Sequence, residues 1–61
     1  MTTAEQLREI RASTGLTQAA FAARYEIPLR SYEDWEAGRR VPPIYLLHML
    51  SVLVEHGLDL S

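Results

Sequence analysis

The sequence contains no cysteine and no lysine, and it has only three glycines and three prolines among its 61 residues. The absence of cysteine excludes disulfide bonds and thiolate metal sites, which stabilise many small secreted domains. The most apolar stretch, IYLLHMLSVLV, has 11 residues, whereas a membrane-spanning helix needs ~20. The charged N-terminus MTTAEQLREI also lacks the pattern of a signal peptide. We therefore expect a soluble cytoplasmic protein in which residues 1–61 form a single domain around one small core.

The charge of the chain is slightly negative, with a formal net charge of −2. This value argues mildly against a general nucleic-acid binder, because such proteins normally present a basic surface to phosphate. The identity of the cationic residues favours nucleic-acid binding, since all six are arginine. The planar arginine group suits two-pronged recognition of phosphate or guanine. A genome rich in G and C would also favour arginine codons, and composition does not separate the two explanations.

Glycine and proline divide the chain into segments with helical periodicity. Thr2 or Thr3 can cap a first helix and Thr17 a second, because their hydroxyls accept hydrogen bonds from free backbone N–H groups. Pro28 suits a helix start, and Gly38 suits the left-handed residue after a helix end. No segment alternates with the period of two that marks a strand. The pattern predicts an all-α bundle of four to five helices, at residues of about 3–14, 18–25, 28–37 and 43–56.

Aromatic residues at helical spacing predict the inner faces of the central helices. Tyr32 and Trp35 lie three residues apart, so they share one face of the third helix, and Phe21 is the large apolar residue of the second. Only about two residues, Glu26 and Ile27, separate these helices. So short a turn is typical of a helix-turn-helix, whose second helix reads a DNA groove.

The segment GLTQAAFAARYEIPLRSYEDWEAGRRVPP, from Gly15 to Pro43, resembles the lambda-repressor-like helix-turn-helix family of the Cro and XRE type. It has LTQ, then FA, then a short turn, then a helix that ends in WEAG before basic residues and proline. The likeness extends over roughly residues 5–56. The IPLRSYEDWEAGRRVP portion is similar to small prokaryotic antitoxins and to phage or operon autorepressors. The resemblance implies a homodimeric transcriptional repressor that places its third helix in the major groove of a double-stranded DNA operator.

The resemblance also implies roles for individual residues. The solvent-facing positions of the third helix, which reach base edges in relatives, are occupied here by Leu29, Arg30, Ser31 and Asp34. The positions that contact DNA phosphate are occupied by Thr17, Gln18, Arg39 and Arg40. The fork of Arg30 matches O6 and N7 of guanine, and Leu29 matches a thymine methyl. In this family Glu36 pairs with an arginine of the first helix, which is Arg11 here. The residues expected to be structural are Arg11, Glu36, Trp35, Tyr32 and Phe21, with the polar atoms of the two larger aromatics reaching the edge of the core.

Two features depart from the family pattern. Relatives often have glycine in the turn where this chain has Glu26 or its neighbour, and a left-handed conformation costs other residues ~1 kcal/mol or more. We therefore expect a differently shaped turn. The third helix also carries Glu33 and Asp34. Asp34 lies four residues after Arg30, where it can hold that arginine on the protein surface, orient it for DNA, or itself accept from a cytosine amino group.

The fourth helix is apolar on more than one face. Leu46, Leu50 and Leu53 have the spacing expected for packing on the other helices. A second stripe would be exposed in so small a monomer, and it comprises Tyr45, Met49, Val52 and His56. A second copy is the simplest cover, so residues 43–56 are predicted to form a dimerisation helix, which implies a palindromic operator. The alternative is that the C-terminal LDLS folds back over this stripe.

The sequence predicts no catalytic residue, no metal site and no cofactor. His48 and His56 lack the i, i+4 spacing of zinc-binding histidines. No serine lies in a nucleophile elbow, and the glycines mark helix ends rather than a phosphate loop. The main rival to a DNA-binding regulator is a module of the same fold that binds a toxin or another protein, because a fold alone does not decide function.

Overall fold

Four helices make up the computed structural model, which describes residues 2–58 and contains no strand in that range. The helices are α1 Thr3–Ala12, α2 Gln18–Arg24, α3 Leu29–Ala37 and α4 Ile44–Glu55. The all-α prediction is confirmed, and each observed helix lies within its predicted range. Within residues 2–58, no helix is both long enough and apolar enough to cross a membrane.

The first two helices begin at side-chain caps. Thr2 and Glu5 form a reciprocal pair, in which the Glu5 N–H donates to Thr2 Oγ1 at 3.1 Å and the Thr2 N–H donates to Glu5 Oε1 at 2.9 Å. Thr17 Oγ1 accepts from the N–H of Ala20 at 3.1 Å. The predicted start of α2 is therefore correct, and Thr2 rather than Thr3 caps α1.

The end of α1 comes two residues earlier than predicted, at Ala12. Ser13 Oγ donates to the carbonyl of Ile10 at 2.7 Å, and Thr14 Oγ1 donates to the carbonyl of Arg11 at 2.6 Å. Hydroxyl groups that bond to nearby carbonyls compete with helix continuation. These contacts form a separate turn between the end of α1 and Gly15, which has a left-handed conformation.

All four helices contribute to the core, in which Tyr32 of α3 has no exposed surface. The ring centroid of Tyr32 is 5.2 Å from that of Phe21 and 6.3 Å from that of Trp35, which is half-buried. The buried apolar residues are Leu7, Phe21, Ala22, Tyr25, Tyr32, Leu47 and Leu50. The inner stripe of α4 is thus centred on Leu47 and Leu50, while the predicted Leu46 and Leu53 pack at its margin.

The turn between α2 and α3 contains a strained residue. Glu26 has φ of 56°, and the other residues with positive φ in the described range are glycines. The turn is closed by the N–H of Ile27, which donates to the carbonyl of Ala22 at 2.8 Å. Glu26 thus takes the left-handed conformation that glycine adopts freely, and the turn is not reshaped to avoid it.

We expect Glu26→Gly to raise the free energy of unfolding by about 0.5–1 kcal/mol. Glycine removes a backbone strain of ~1–2 kcal/mol, although its greater freedom in the unfolded chain offsets part of the gain. For a domain this small, the melting temperature should rise by about 2–8 °C. The matched control is Glu26→Ala, which removes the charge but keeps the Cβ atom, and it should give no comparable gain. Equal stabilisation by both variants would attribute the effect to charge instead.

Candidate nucleic-acid interface

The inner face of α3 is anchored by the buried carboxylate of Glu36, which is 4% exposed. Arg11 of α1 donates from Nε to Glu36 Oε2 at 2.7 Å and from Nη2 to Oε1 at 3.2 Å, so the predicted ion pair is present. Gln18 of α2 donates from Nε2 to Oε1 at 3.0 Å. The hydroxyl of Tyr32 donates to Oε2. We call these four residues the Glu36 cluster, and they join α1, α2 and α3 at one carboxylate.

The protonation states of the Glu36 cluster follow from these contacts. Burial raises the pKa of Glu36, but the hydrogen bonds from Arg11, Tyr32 and Gln18 together outweigh it and hold that pKa below 4.5. The hydrogen bond to Glu36 raises the pKa of Arg11. Burial, and then the hydrogen bond to Glu36, raises the pKa of Tyr32. The expectation that the hydroxyl of Tyr32 reaches the edge of the core is wrong, because Tyr32 has no exposed surface and its hydroxyl donates to the buried carboxylate of Glu36.

Arg8 is a contributor that the sequence reasoning missed. Its Nη1 donates to the main-chain carbonyl of Glu36 at 2.6 Å. A cation at this carbonyl satisfies one of the acceptors that a helix end leaves free. Arg8 lies three residues before Arg11, on the same face of α1. That spacing is the sequence signal that could have identified Arg8. Helix α1 therefore bonds to the side chain of Glu36 through Arg11 and to its backbone through Arg8.

The N-terminus of α2 holds two predicted phosphate contacts, Thr17 and Gln18. Thr17 is exposed, and its hydroxyl caps the helix. Gln18 is half-buried, and Glu36 fixes one edge of its amide. An open polar depression beside Gln18 is also lined by Arg8, Glu33 and Arg39. Two arginines and two carboxylates, Glu33 and Glu36, therefore line the depression beside this end of α2.

The outer face of α3 presents two of its four predicted base-reading residues to solvent. The side chain of Arg30 is 85% exposed, and Leu29 is 40% exposed. Ser31 is half-buried. Asp34 is 8% exposed, so the prediction that it faces solvent is wrong.

Asp34 is buried because the chain after α3 folds back over it. Gly38 takes the left-handed conformation, and the N–H groups of Arg39 and Arg40 then donate to the carbonyl of Asp34 at 2.9 and 3.3 Å. Nε of Arg39 also donates to Asp34 Oδ1 at 2.9 Å, and Nε of Arg30 lies 3.7 Å from the same oxygen. Arg39 and Arg40 themselves remain exposed.

The acidic run of α3 does not form an acidic face. Asp34 lies beside two arginines, and Glu36 is paired with Arg11. Within residues 2–58, Glu33 is the one carboxylate of α3 without an arginine at ion-pair distance, and it is half-buried. Two of the three carboxylates of α3 therefore have an arginine beside them.

A family model described as a helix-turn-helix domain matches residues 4–53. The protein belongs to this helix-turn-helix family. The match confirms the lambda-repressor-like fold of the Cro and XRE type. In the structure, α2 and α3 are the two helices joined by the short turn between Arg24 and Leu29. Membership indicates a DNA-binding regulator, and such domains are typically not enzymes. Comparison with curated proteins and with solved structures gave no significant match.

The helix-turn-helix domain has a second distinctive surface on α4, which we call the α4 stripe. Its predicted members are Tyr45, Met49, Val52 and His56, all of them exposed. Tyr45 is 65% exposed, and Met49 and Val52 are about half exposed. Ile44 extends the apolar surface at 64% exposure. The alternative cover, LDLS, falls mostly on residues 59–61, which lie outside the described range.

Histidine contributes no metal site to the helix-turn-helix domain in the range that the structure describes. Within residues 2–58, no group of three or more His, Cys, Asp or Glu side chains is arranged to hold an ion. His48 and His56 lie along α4 and at its C-terminal cap.

Proposed function

We propose that the protein is a sequence-specific transcription regulator, a homodimer that represses its own operon in the manner of antitoxin-like or phage-type autorepressors. The observation that carries the proposal is the exposed Arg30 on α3, while the Glu36 cluster fixes the opposite face of that helix. A recognition helix needs a rigid base and a free reading surface, because misplaced donors lose base discrimination.

The proposed DNA contacts divide into two kinds. Arg30 reads guanine through its fork, Leu29 packs on a thymine methyl, and Ser31 approaches a base edge at the margin of the helix. Phosphate is bound by Thr17, Gln18, Arg39 and Arg40. The burial of Asp34 favours an indirect role for this residue over the predicted base contact.

The proposed dimer forms through the α4 stripe. No charged residue occurs between Val41 and Val54. A twofold axis brings identical patches together, so a patch without charge meets its copy without like-charge repulsion. Its exposed apolar residues supply the area to be buried. A dimer of this kind sets two α3 helices about one DNA turn apart, roughly 34 Å, and predicts a palindromic operator.

The test is selection from a random duplex library, followed by affinity measurements on the selected site and on random DNA. Arg30→Lys keeps the charge but loses the fork, so we expect about a 5- to 150-fold loss of preference at one base pair, with an unchanged salt dependence. Arg39→Ala should weaken binding to all sequences and reduce the salt slope by about one. This division of roles would be contradicted if Arg39→Ala lost base preference while Arg30→Lys kept it.

A protein-binding module is the second candidate, favoured by the net charge of −2 and by the exposed α4 stripe. A cognate toxin is one such partner. Absence of DNA binding at low salt, with an intact fold, would favour this candidate. Cytoplasmic location and a single domain over residues 1–61 fit either function.

A further inference from the structure

A single carboxylate oxygen lies between the two arginines that have different proposed tasks. Asp34 Oδ1 accepts from Nε of Arg39 at 2.9 Å and lies 3.7 Å from Nε of Arg30. The Asp34 side chain is 12% exposed, whereas those of Arg39 and Arg30 are 64% and 85% exposed. The charge of Asp34 is thus turned inward, while both guanidinium groups extend outward from it.

The same atom of each arginine faces the carboxylate. Each guanidinium has five N–H donors in a planar fork, and only Nε is directed to Asp34. The terminal Nη groups of both side chains stay available for guanine or phosphate. One carboxylate oxygen is therefore placed to orient each of the two arginines.

We propose that Asp34 is a positioning residue that orients Arg30 and Arg39 together and thereby sets the sequence preference of α3 without contacting a base. This inference rests on the proposed function. Holding a long side chain in its bound orientation reduces the entropy lost on binding. Asp34 therefore raises specificity, although its negative charge lowers the attraction to every DNA sequence.

The test compares Asp34→Asn with Glu33→Gln, which remove the same charge from adjacent positions of α3. Both variants should raise the affinity for random DNA by about two- to tenfold, because each removes one negative charge near phosphate. Only Asp34→Asn should lower the ratio of specific to random affinity, by about tenfold or more. An unchanged ratio in a folded Asp34→Asn protein overturns the inference.

A measurement without DNA separates this inference from the proposed function. In nitrogen-15 NMR spectra of the free protein, the Nε–H of Arg39 should exchange with water several-fold more slowly than that of exposed Arg40. Asp34→Asn should bring the two rates together, and Glu33→Gln should not. Equal rates in the unmodified protein overturn the positioning role. Slow Arg39 exchange in a protein that binds no DNA overturns the proposed function, and with it the role of Asp34 in sequence preference.

Discussion

Arg11→Leu is expected to lower the free energy of unfolding by about 3–5 kcal/mol, the usual cost of stranding one partner of a buried ion pair. The substitution leaves Glu36, which is 4% exposed, with Gln18 and Tyr32 as its remaining side-chain donors. A domain of this size has a total stability of roughly 3–9 kcal/mol. The variant should therefore lose at least about a third of the stability of the domain. Urea titration followed by the fluorescence of Trp35, the only tryptophan, measures the change.

Two control variants separate the stranded charge from lost packing. Arg8→Leu removes a hydrogen bond to the backbone carbonyl of Glu36 but leaves the carboxylate of Glu36 paired with Arg11, and it should cost about 1–2 kcal/mol. The double variant Arg11→Leu with Glu36→Gln should be more stable than Arg11→Leu alone, because no buried charge is left unpaired. A double variant that is less stable than the single one would contradict this account.

Arg11→Leu should also reverse the pH dependence of the free energy of unfolding. In the unmodified protein the pKa of Glu36 lies below its ordinary value of 4.5. Its contribution is then complete above pH 4.5 and is lost as the pH falls through the folded pKa. Without Arg11, the burial of Glu36 is opposed by the hydrogen bonds from Tyr32 and Gln18 alone, and we expect the pKa of Glu36 to rise above its ordinary value. Arg11→Leu should consequently become more stable as the pH is lowered from about 7 to about 5, which urea midpoints at the two pH values will show.

Val52→Glu is expected to convert the proposed dimer to monomers. Val52 is 52% exposed in the α4 stripe, and a twofold interface places two copies of every substitution in the contact. Like charges brought together in an interface cost several kcal/mol. The dimer dissociation constant should therefore rise by at least about 100-fold, or about 2.8 kcal/mol. Sedimentation at micromolar concentrations measures it.

The matched control is Ala12→Glu, which adds the same charge at an exposed position of α1. It should leave the sedimentation profile unchanged. Val52→Glu should also reduce the affinity for a palindromic site much more than the affinity for an isolated half-site, because the variant loses the joint binding of two linked subunits. If the protein without substitutions sediments as a monomer, the dimer is removed from the proposal.

Local chemistry made most of the fold predictable from the sequence. Hydroxyl caps at Thr2 and Thr17 act within three residues, so their effect on helix starts can be read directly. The end of α1 was harder to predict, because Ser13 and Thr14 form a turn that competes with the helix over the same few residues. The pairing of Arg11 with Glu36 came from family resemblance, since 25 residues separate them.

The outer face of α3 shows where periodicity alone is insufficient. Helical spacing places Asp34 one turn after Arg30, which is the arrangement of two neighbouring surface residues. The decisive neighbour is Arg39, which reaches Asp34 only because the chain reverses at left-handed Gly38. Similarly, the contact between Gln18 and Glu36 depends on how α2 packs against α3. Contacts of this kind need the geometry of the assembled helices.

The separation between the two faces of α3 makes its reading surface exchangeable. Tyr32 and Glu36 connect the inner face to the rest of the domain, whereas Leu29 and Arg30 project outward. New residues at positions 29 and 30 would leave the Glu36 cluster intact. The proposed function would therefore make the protein a compact scaffold for building sets of mutually independent regulators, each with its own operator.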